Sequence, residues 1–151
     1  MRAVIQRVKK ADVKINDEIV GEIEQGLLIL LAIHKDDTED KIKKLADKII
    51  SLRIFSDPSA SSGQVEKMNL SVRDISGEIL IVSQFTLYGD CSKGNRPSFI
   101  ESAKPEKAIP YYEKFVDEIK QSNLKVATGK FGAMMNVDLV NDGPTTIILE
   151  N

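Results

Sequence analysis

The sequence predicts a mixed α/β fold with about eight strands and two main helices, the helices lying on one side of a sheet. Three observations carry this expectation. The first twenty-odd residues alternate apolar and polar side chains, a single unbroken apolar run follows, and two separate segments repeat apolar residues at helical spacing. The 151 residues are about one domain's worth, so residues 1–151 are expected to form one unit.

AVIQRV and ADVKIN alternate as strands do, Asn16-Asp17-Glu18 reads as a turn, and EIVGEI supplies the partner strand of a meander. Gly26 then opens LLILLAI, a run whose length suits a strand buried on both faces and central to the sheet. Asp37 or Thr38 is placed to cap a helix in which Ile42, Leu45, Ala46, Ile49 and Ile50 share one face. Lys41, Lys43, Lys44, Asp47 and Lys48 form its solvated face.

The stretch from Ser56 to Gly63 is rich in Ser and Pro and reads as a surface loop. Gly77 precedes EILIVSQFTLY, which begins as a β-branched strand and runs without a break into Ser83, Gln84 and Thr86. GDCSKGNRP is a loop, and Lys104-Pro105 opens a second helix whose apolar face holds Ala108, Tyr111, Tyr112, Phe115 and Ile119. The last third reads as strand LKVAT, turn TGKFG, strand AMMNVDLV, turn NDGP and strand TTIIL, with Ala133, Met135, Val137 and Leu139 on one face.

Composition excludes several classes of function. With Cys91 the one cysteine and His34 the one histidine, neither an internal disulfide nor a Cys/His zinc site is possible. The longest apolar run, Leu27 to Ile33, falls far short of the roughly 20 residues that span a bilayer. The opening MRAVIQRVKK lacks the layout of a signal peptide, so a soluble protein of the cytoplasm, without a membrane partner, is expected. The net charge is −2, so contact with nucleic acid would need a local patch; Lys67, Lys93, Arg96, Lys104 and Lys107 are the scattered cations available.

Two segments invite a chemical reading. Ser83 to Leu87 puts two hydroxyls and an amide at the end of a buried strand, where an unpaired polar group costs about 1–3 kcal/mol. Either the strand emerges at a sheet edge and the hydroxyls pair with backbone, or its end lines a pocket. A Ser-His-Asp triad would have to use His34, which is more simply a strand-end residue facing water. Asn141 to Thr146 is a tight hairpin by composition; its Gly-Pro bond also admits a cis form that would turn successive carbonyls toward one point, as an ammonium ligand requires.

Taken together, the segments MRAVIQRV, RIFSD, KMNLSV, SQFTL at 83–87, KGNRPSF at 93–99 and FGAMMNVDLVNDGPTT at 131–146 resemble the D-aminoacyl-tRNA deacylase family, also called D-tyrosyl-tRNA deacylase. The match runs from end to end. The resemblance implies a three-layer β/β/α fold, a homodimer with active sites at the subunit interface, and aminoacyl-tRNA as partner. It implies hydrolysis of the ester that links a D-amino acid, or glycine, to the 3′ end of tRNA, with no metal or organic cofactor.

In the same way it implies roles for residues. Gly143 and Pro144 of one subunit enter the other's pocket and meet the substrate's amino group, with Arg7 holding their orientation. Phe85 and Thr86 stabilise the oxyanion through their backbone N–H groups; Thr86 is also a candidate nucleophile, but no base accompanies it, so positioning is the favoured role. The ribose 2′-OH would then help activate water. Ser83 and Gln84 orient the segment and the terminal adenosine, and Phe131, Ala133 and Met135 line the site. Two departures from the family pattern stand out: SASSGQVE lengthens a loop, and Thr145 replaces the more usual Val. Editing of another mischarged tRNA, or a catalytically silent RNA-binding dimer, are the alternatives.

Overall fold

The computed structural model describes residues 1–57 and 68–151. Most of the Ser-rich stretch expected as a loop, the added SASSGQVE and Lys67 lie outside the described residues.

Strand β1 (Arg2–Ile15) turns at Asn16 and Asp17, both at positive φ (51° and 66°), into β2 (Glu18–Ile23). That is the two-residue geometry that Asn and Asp tolerate and that matches strand twist. β3 (Gly26–Ala32) then pairs antiparallel with the first half of β1, Arg2 opposite Ala32 and Val8 opposite Gly26. Residues 2–8 of β1 bond β3 and residues 11–15 bond β2, so these two strands share one edge of β1. The other edge belongs to β8 (Asn136–Glu150), which pairs with β1 along its whole length.

Beyond β3 the sheet continues in parallel through β6 (Glu78–Ser83) to β7 (Val126–Thr128). Helix α1 (Asp40–Ile50) precedes β6, as does the small hairpin of β4 (Phe55–Ser56) and β5 (Met68–Leu70), while α2 (Pro105–Lys120) joins β6 to β7. The sheet curls until Gly21 of β2 lies against the Thr128 carbonyl of β7, where even a Cβ would come to 2.5 Å.

This curl sorts the side chains into two cores. Leu27, Ile29 and Leu31, with Ile79 and Ile81, face outward onto Ile42, Leu45 and Ile49 of α1 and Phe115 and Ile119 of α2. Leu28, Leu80 and Val82 point the other way, into the curl, onto Val8, Val13 and Ile23. Strand alternation assigns each residue to one core, and the expected mixed α/β architecture in β/β/α layers is what results. Among the described residues no helix is long and apolar enough to cross a membrane.

Three local expectations are corrected. Neither Asp37 nor Thr38 caps α1; Glu39 holds that position without a side-chain cap bond. Asp37 is buried instead, 2.6 Å from the Met1 ammonium, 2.7 Å from the His34 N–H and 3.1 Å from Lys41 Nζ. Burial pushes its carboxyl upward, but these donors outweigh burial and hold it below the ordinary aspartate range. The apolar pattern of EILIVSQFTLY does not continue as strand: β6 stops at Ser83, and Phe85–Tyr88 form a 3-10 turn.

NDGP, finally, is not a hairpin. Asn136–Asn141 and Thr146–Glu150 both pair with β1 in the same direction, so the chain does not reverse there. Asn141 sits opposite Val8 and Thr146 opposite Gln6, which leaves residues 142–145 facing Arg7 alone as a bulge in one long strand. That strand begins at Asn136, so Ala133 and Met135 come from the preceding loop, which Gly132 turns at φ +75°.

Candidate active site

The end of β6 and the loop 129–135 enclose a cavity of about 340 Å³. Ser83, Gln84 and Phe85 form one wall, and Phe131, Ala133 and Met135 another, so the structure brings these six together. Tyr112 of α2 and Met134 also line it and were not singled out in the sequence as site residues. Tyr112 read there as one more core aromatic; the signal it carried was its hydroxyl, which must find a partner when buried.

It finds the Ile81 carbonyl at 2.8 Å. The same carbonyl accepts the Gly129 N–H at 3.1 Å, and the Tyr112 ring stands edge-on to Phe131, with centroids 5.8 Å apart. Tyr112 thus ties the strand that leads into Ser83 to the loop that carries Phe131. Burial pushes its phenol well above the usual tyrosine range, so it stays a neutral donor.

The 3-10 turn presents backbone rather than side chains. Leu87 N–H bonds Gln84 O and Gly89 N–H bonds Thr86 O, whereas the N–H groups of Phe85 and Thr86 open the turn and have no acceptor within its own ladder. Both residues are exposed. The segment is fixed from outside, by Gln84 N–H to Leu31 O at 2.8 Å, Ser102 Oγ to Phe85 O at 2.8 Å, Arg2 Nη1 to Leu87 O at 2.6 Å, and the Phe85 ring on Phe99.

Thr86 Oγ1 is hydrogen-bonded to the Gln84 carboxamide. A carboxamide is no base, whichever of its atoms faces the hydroxyl. His34 does not serve either: Nδ1 accepts the Asp36 N–H at 3.2 Å, so Nε2 carries the proton and donates to Glu101 at 3.0 Å. Its ring packs on Tyr88, just past the end of β3. Among the described residues no group of His, Cys, Asp and Glu side chains converges as metal ligands would.

Gly143, Pro144 and Arg7 lie elsewhere. Arg7 and Gly143 line a second, more polar cavity with Gln25, Phe55 and Asp142. Arg7 is 7% exposed; its Nε donates to Asp142 O at 3.0 Å and its Nη1 to Ile54 O at 2.5 Å. Asn141, a residue missed in the sequence, spans the bulge from inside: Oδ1 accepts the Thr145 N–H at 2.7 Å and Nδ2 reaches Thr146 Oγ1 at 3.2 Å. The Gly143–Pro144 bond is cis, and Gly143 has φ +127°. A Cβ there would sit 2.6 Å from Thr145 Oγ1 and 2.8 Å from Arg7 Nη2, so conformation and space both demand glycine.

The sequence from residue 4 to residue 150 matches the model of the D-Tyr-tRNA(Tyr) deacylase family. The chain belongs to that family. It is 60% identical over 151 residues to the D-aminoacyl-tRNA deacylase of Thermosipho africanus (strain TCF52B), covering all of this chain and 97% of the relative. The D-aminoacyl-tRNA deacylase of Dictyoglomus turgidum is 57% identical over 150 residues, 99% of this chain and 92% of its own.

Among solved structures, c-Myc DNA Unwinding Element Binding Protein superposes with a TM-score of 0.91 at 39% identity, over 100% of this chain and 99% of its own. A probable eukaryotic D-amino acid tRNA deacylase superposes at 0.83 with 17% identity, over 98% and 97%, and so shares the fold. The resemblance carried by SQFTL and NDGPTT is thus a family membership over nearly the whole chain.

Proposed function

We propose that this chain hydrolyses the ester bond joining a D-amino acid to the 3′ end of tRNA, releasing the free D-amino acid and tRNA, and that glycine mischarged on tRNA is also a substrate. The observation that carries the reading is the turn at 85–88: two exposed residues, Phe85 and Thr86, whose N–H groups have no acceptor within the turn, beside a mostly apolar cavity, with no nucleophile–base pair near them among the described residues. Such donors suit an oxyanion, a stabilisation often worth several kcal/mol in a site that excludes water. Water attacks the ester carbonyl, the oxyanion rests on the N–H groups of Phe85 and Thr86, and the ribose 3′-oxygen leaves with a proton. Thr86 positions, and the neighbouring 2′-OH of the RNA assists the water.

Chirality is read by the Gly143–Pro144 turn of a second copy. The two residues are exposed on their own protomer, Arg7 holds the neighbouring Asp142, and Gly143 lines a different cavity from Ser83 and Phe85. Bringing them to the ester therefore takes a homodimer. There the backbone carbonyls engage the substrate's amino group, an L side chain collides with main chain, and a D side chain points to solvent. In this reading residues 1–151 act as one domain in the cytoplasm, where charged tRNA is used.

Release of amino acid from D-Tyr-tRNA and L-Tyr-tRNA, compared at equal enzyme concentration, is the test. Rapid release from the D substrate alone is expected. Equal rates on both would favour editing of another mischarged tRNA, and no release from either would favour a silent RNA-binding dimer. Sedimentation should report two chains per particle. Substitution of the terminal 2′-OH by hydrogen should slow hydrolysis; an undiminished rate would remove the RNA from the mechanism.

A further inference from the structure

Most lysines on the outer face of the two helices are paired within the protein, Lys48 excepted. Lys44 meets Asp40 at 2.7 Å, Lys114 meets Glu39 at 2.6 Å, and Lys43 lies within reach of Asp47 and Glu118. Around the mouth of the first cavity the pattern is the opposite. Among the described residues Lys93, Arg96, Lys104, Lys107 and Lys130 take part in no ion pair, and three separate segments bring them there.

Lys104 and Lys107 stand at the start of α2, beside Ala103 and Ala108, which line the cavity. Lys107 is held in place, its ammonium donating to Lys35 O at 2.6 Å and lying 5.2 Å from the Tyr111 ring centroid, with donors still to spare. Lys130 precedes Phe131 in the opposite wall. Lys93 and Arg96 belong to a loop whose ends are tied by Asp90 and Ser98, at 2.8 and 2.9 Å, and anchored to the site where Phe99 packs on Phe85.

Carboxylates in this neighbourhood do little to cancel the charge. Glu101 is taken by Lys35 and His34, and Asp90 turns back to accept the Ser92 N–H. Glu106, in the first turn of α2, is the remaining carboxylate between residues 89 and 108. On a chain of net charge −2, half of the described cations without an ion pair thus lie on the segments that border this cavity, the others being Lys9, Lys10, Lys48, Arg53 and Arg73.

Resting on the hydrolysis reading above, we infer that this rim, Lys104, Lys107 and Lys130 with Lys93 and Arg96, is the docking surface for the phosphate backbone of the tRNA acceptor stem. The scissile ester sits at the end of a short single strand, so what reaches the rim from an ester in the cavity is RNA backbone. Lysines meet phosphates as point charges and Arg96 as a fork, none of which reads base sequence. A rim of one sign on a molecule of the other also orients the incoming polyanion.

Binding of an uncharged tRNA transcript, followed by fluorescence anisotropy across a salt series, tests the assignment. The triple variant Lys104→Ala, Lys107→Ala, Lys130→Ala should bind roughly tenfold or more weakly, and each lost contact should take about 0.9 from the slope of log affinity against log salt. The triple Lys→Arg variant should restore both. Lys44→Ala with Lys114→Ala, on the helical face, should leave both unchanged.

In kinetics the triple Ala variant should lose kcat/KM on D-Tyr-tRNA but by less than about twofold on D-tyrosyl-adenosine, which has no stem. Equal loss on the two substrates, or an unaltered affinity and slope, overturns the docking surface. The two readings fail separately. Wild-type protein that deacylates D-Tyr-tRNA while the variants bind normally refutes the rim alone, whereas rim-dependent binding without release of amino acid supports the rim and refutes hydrolysis.

Discussion

The bulge at 142–145 and the turn at 85–88 are both short, exposed and central to the proposed reaction, yet they are built in opposite ways. The bulge is over-determined: a buried Arg7 grips it from below, Asn141 ties its two ends, and Gly143 leaves no room for a side chain. The turn is held from outside at Phe85 and Leu87, its hydroxyl is taken by Gln84, and the N–H groups of Phe85 and Thr86 have no acceptor within its own ladder. A part that must exclude the wrong hand of substrate has to be stiff, whereas a part that receives developing charge needs donors left unpaired until the charge arrives. The difference predicts that damage to the bulge spreads into stability and that damage to the turn's side chains does not.

The sharpest way to break the comparison is Arg7→Ala. It leaves the Asp142 and Ile54 carbonyls without their donor and should lower stability by about 3 kcal/mol, a fall of roughly 10 °C in Tm by calorimetry, with deacylation lost. Gly143→Ala should keep the circular dichroism spectrum but cut kcat/KM on D-Tyr-tRNA more than about 100-fold, because displacing a positioning element by an ångström has that scale of effect. Near-normal activity in either variant would mean that the bulge plays no part in recognition.

Smaller effects belong to the turn and its support. Tyr112→Phe removes one of the two hydrogen bonds at Ile81 O and should cost about 1 kcal/mol, with kcat/KM reduced severalfold as Ser83 and Phe131 lose their common brace. Thr86→Ala should retain activity within about tenfold, since its backbone N–H survives; complete loss with intact binding and folding would instead make the hydroxyl a nucleophile. Thr145→Val should be the mildest. The Thr145 hydroxyl is buried without a partner among the described residues, so an isosteric methyl should leave stability unchanged or raise it by up to about 1 kcal/mol, a rise of at most about 4 °C in Tm.

Much of this was legible in the residues. The period of LLILLAI and of the two amphipathic segments reports which faces are buried, and the core has the composition those periods predict. Ser83, Gln84, Phe85, Phe131, Ala133 and Met135 were each anticipated and lie around one cavity. The errors share a cause. Asp37 has the composition of a helix cap and NDGP that of a hairpin, because both rules look only a few residues along the chain. The Met1 ammonium that claims Asp37 and the β1 strand that claims both halves of β8 are more than thirty and more than a hundred residues away.

The sequence by itself determined the fold class, the two helices, the main buried strands and the family, because burial periodicity and motif identity are properties of neighbouring residues. Only the tertiary structure decided that Gly143–Pro144 is a bulge clamped by Arg7, that it stands apart from the 83–88 segment in a protomer, and that three separate segments with unpaired cations border one cavity. Those outcomes depend on which strand pairs with which and on which carboxylate reaches which cation. Hydrogen bonds and charges choose their partners in space, and a one-dimensional pattern does not record the distance.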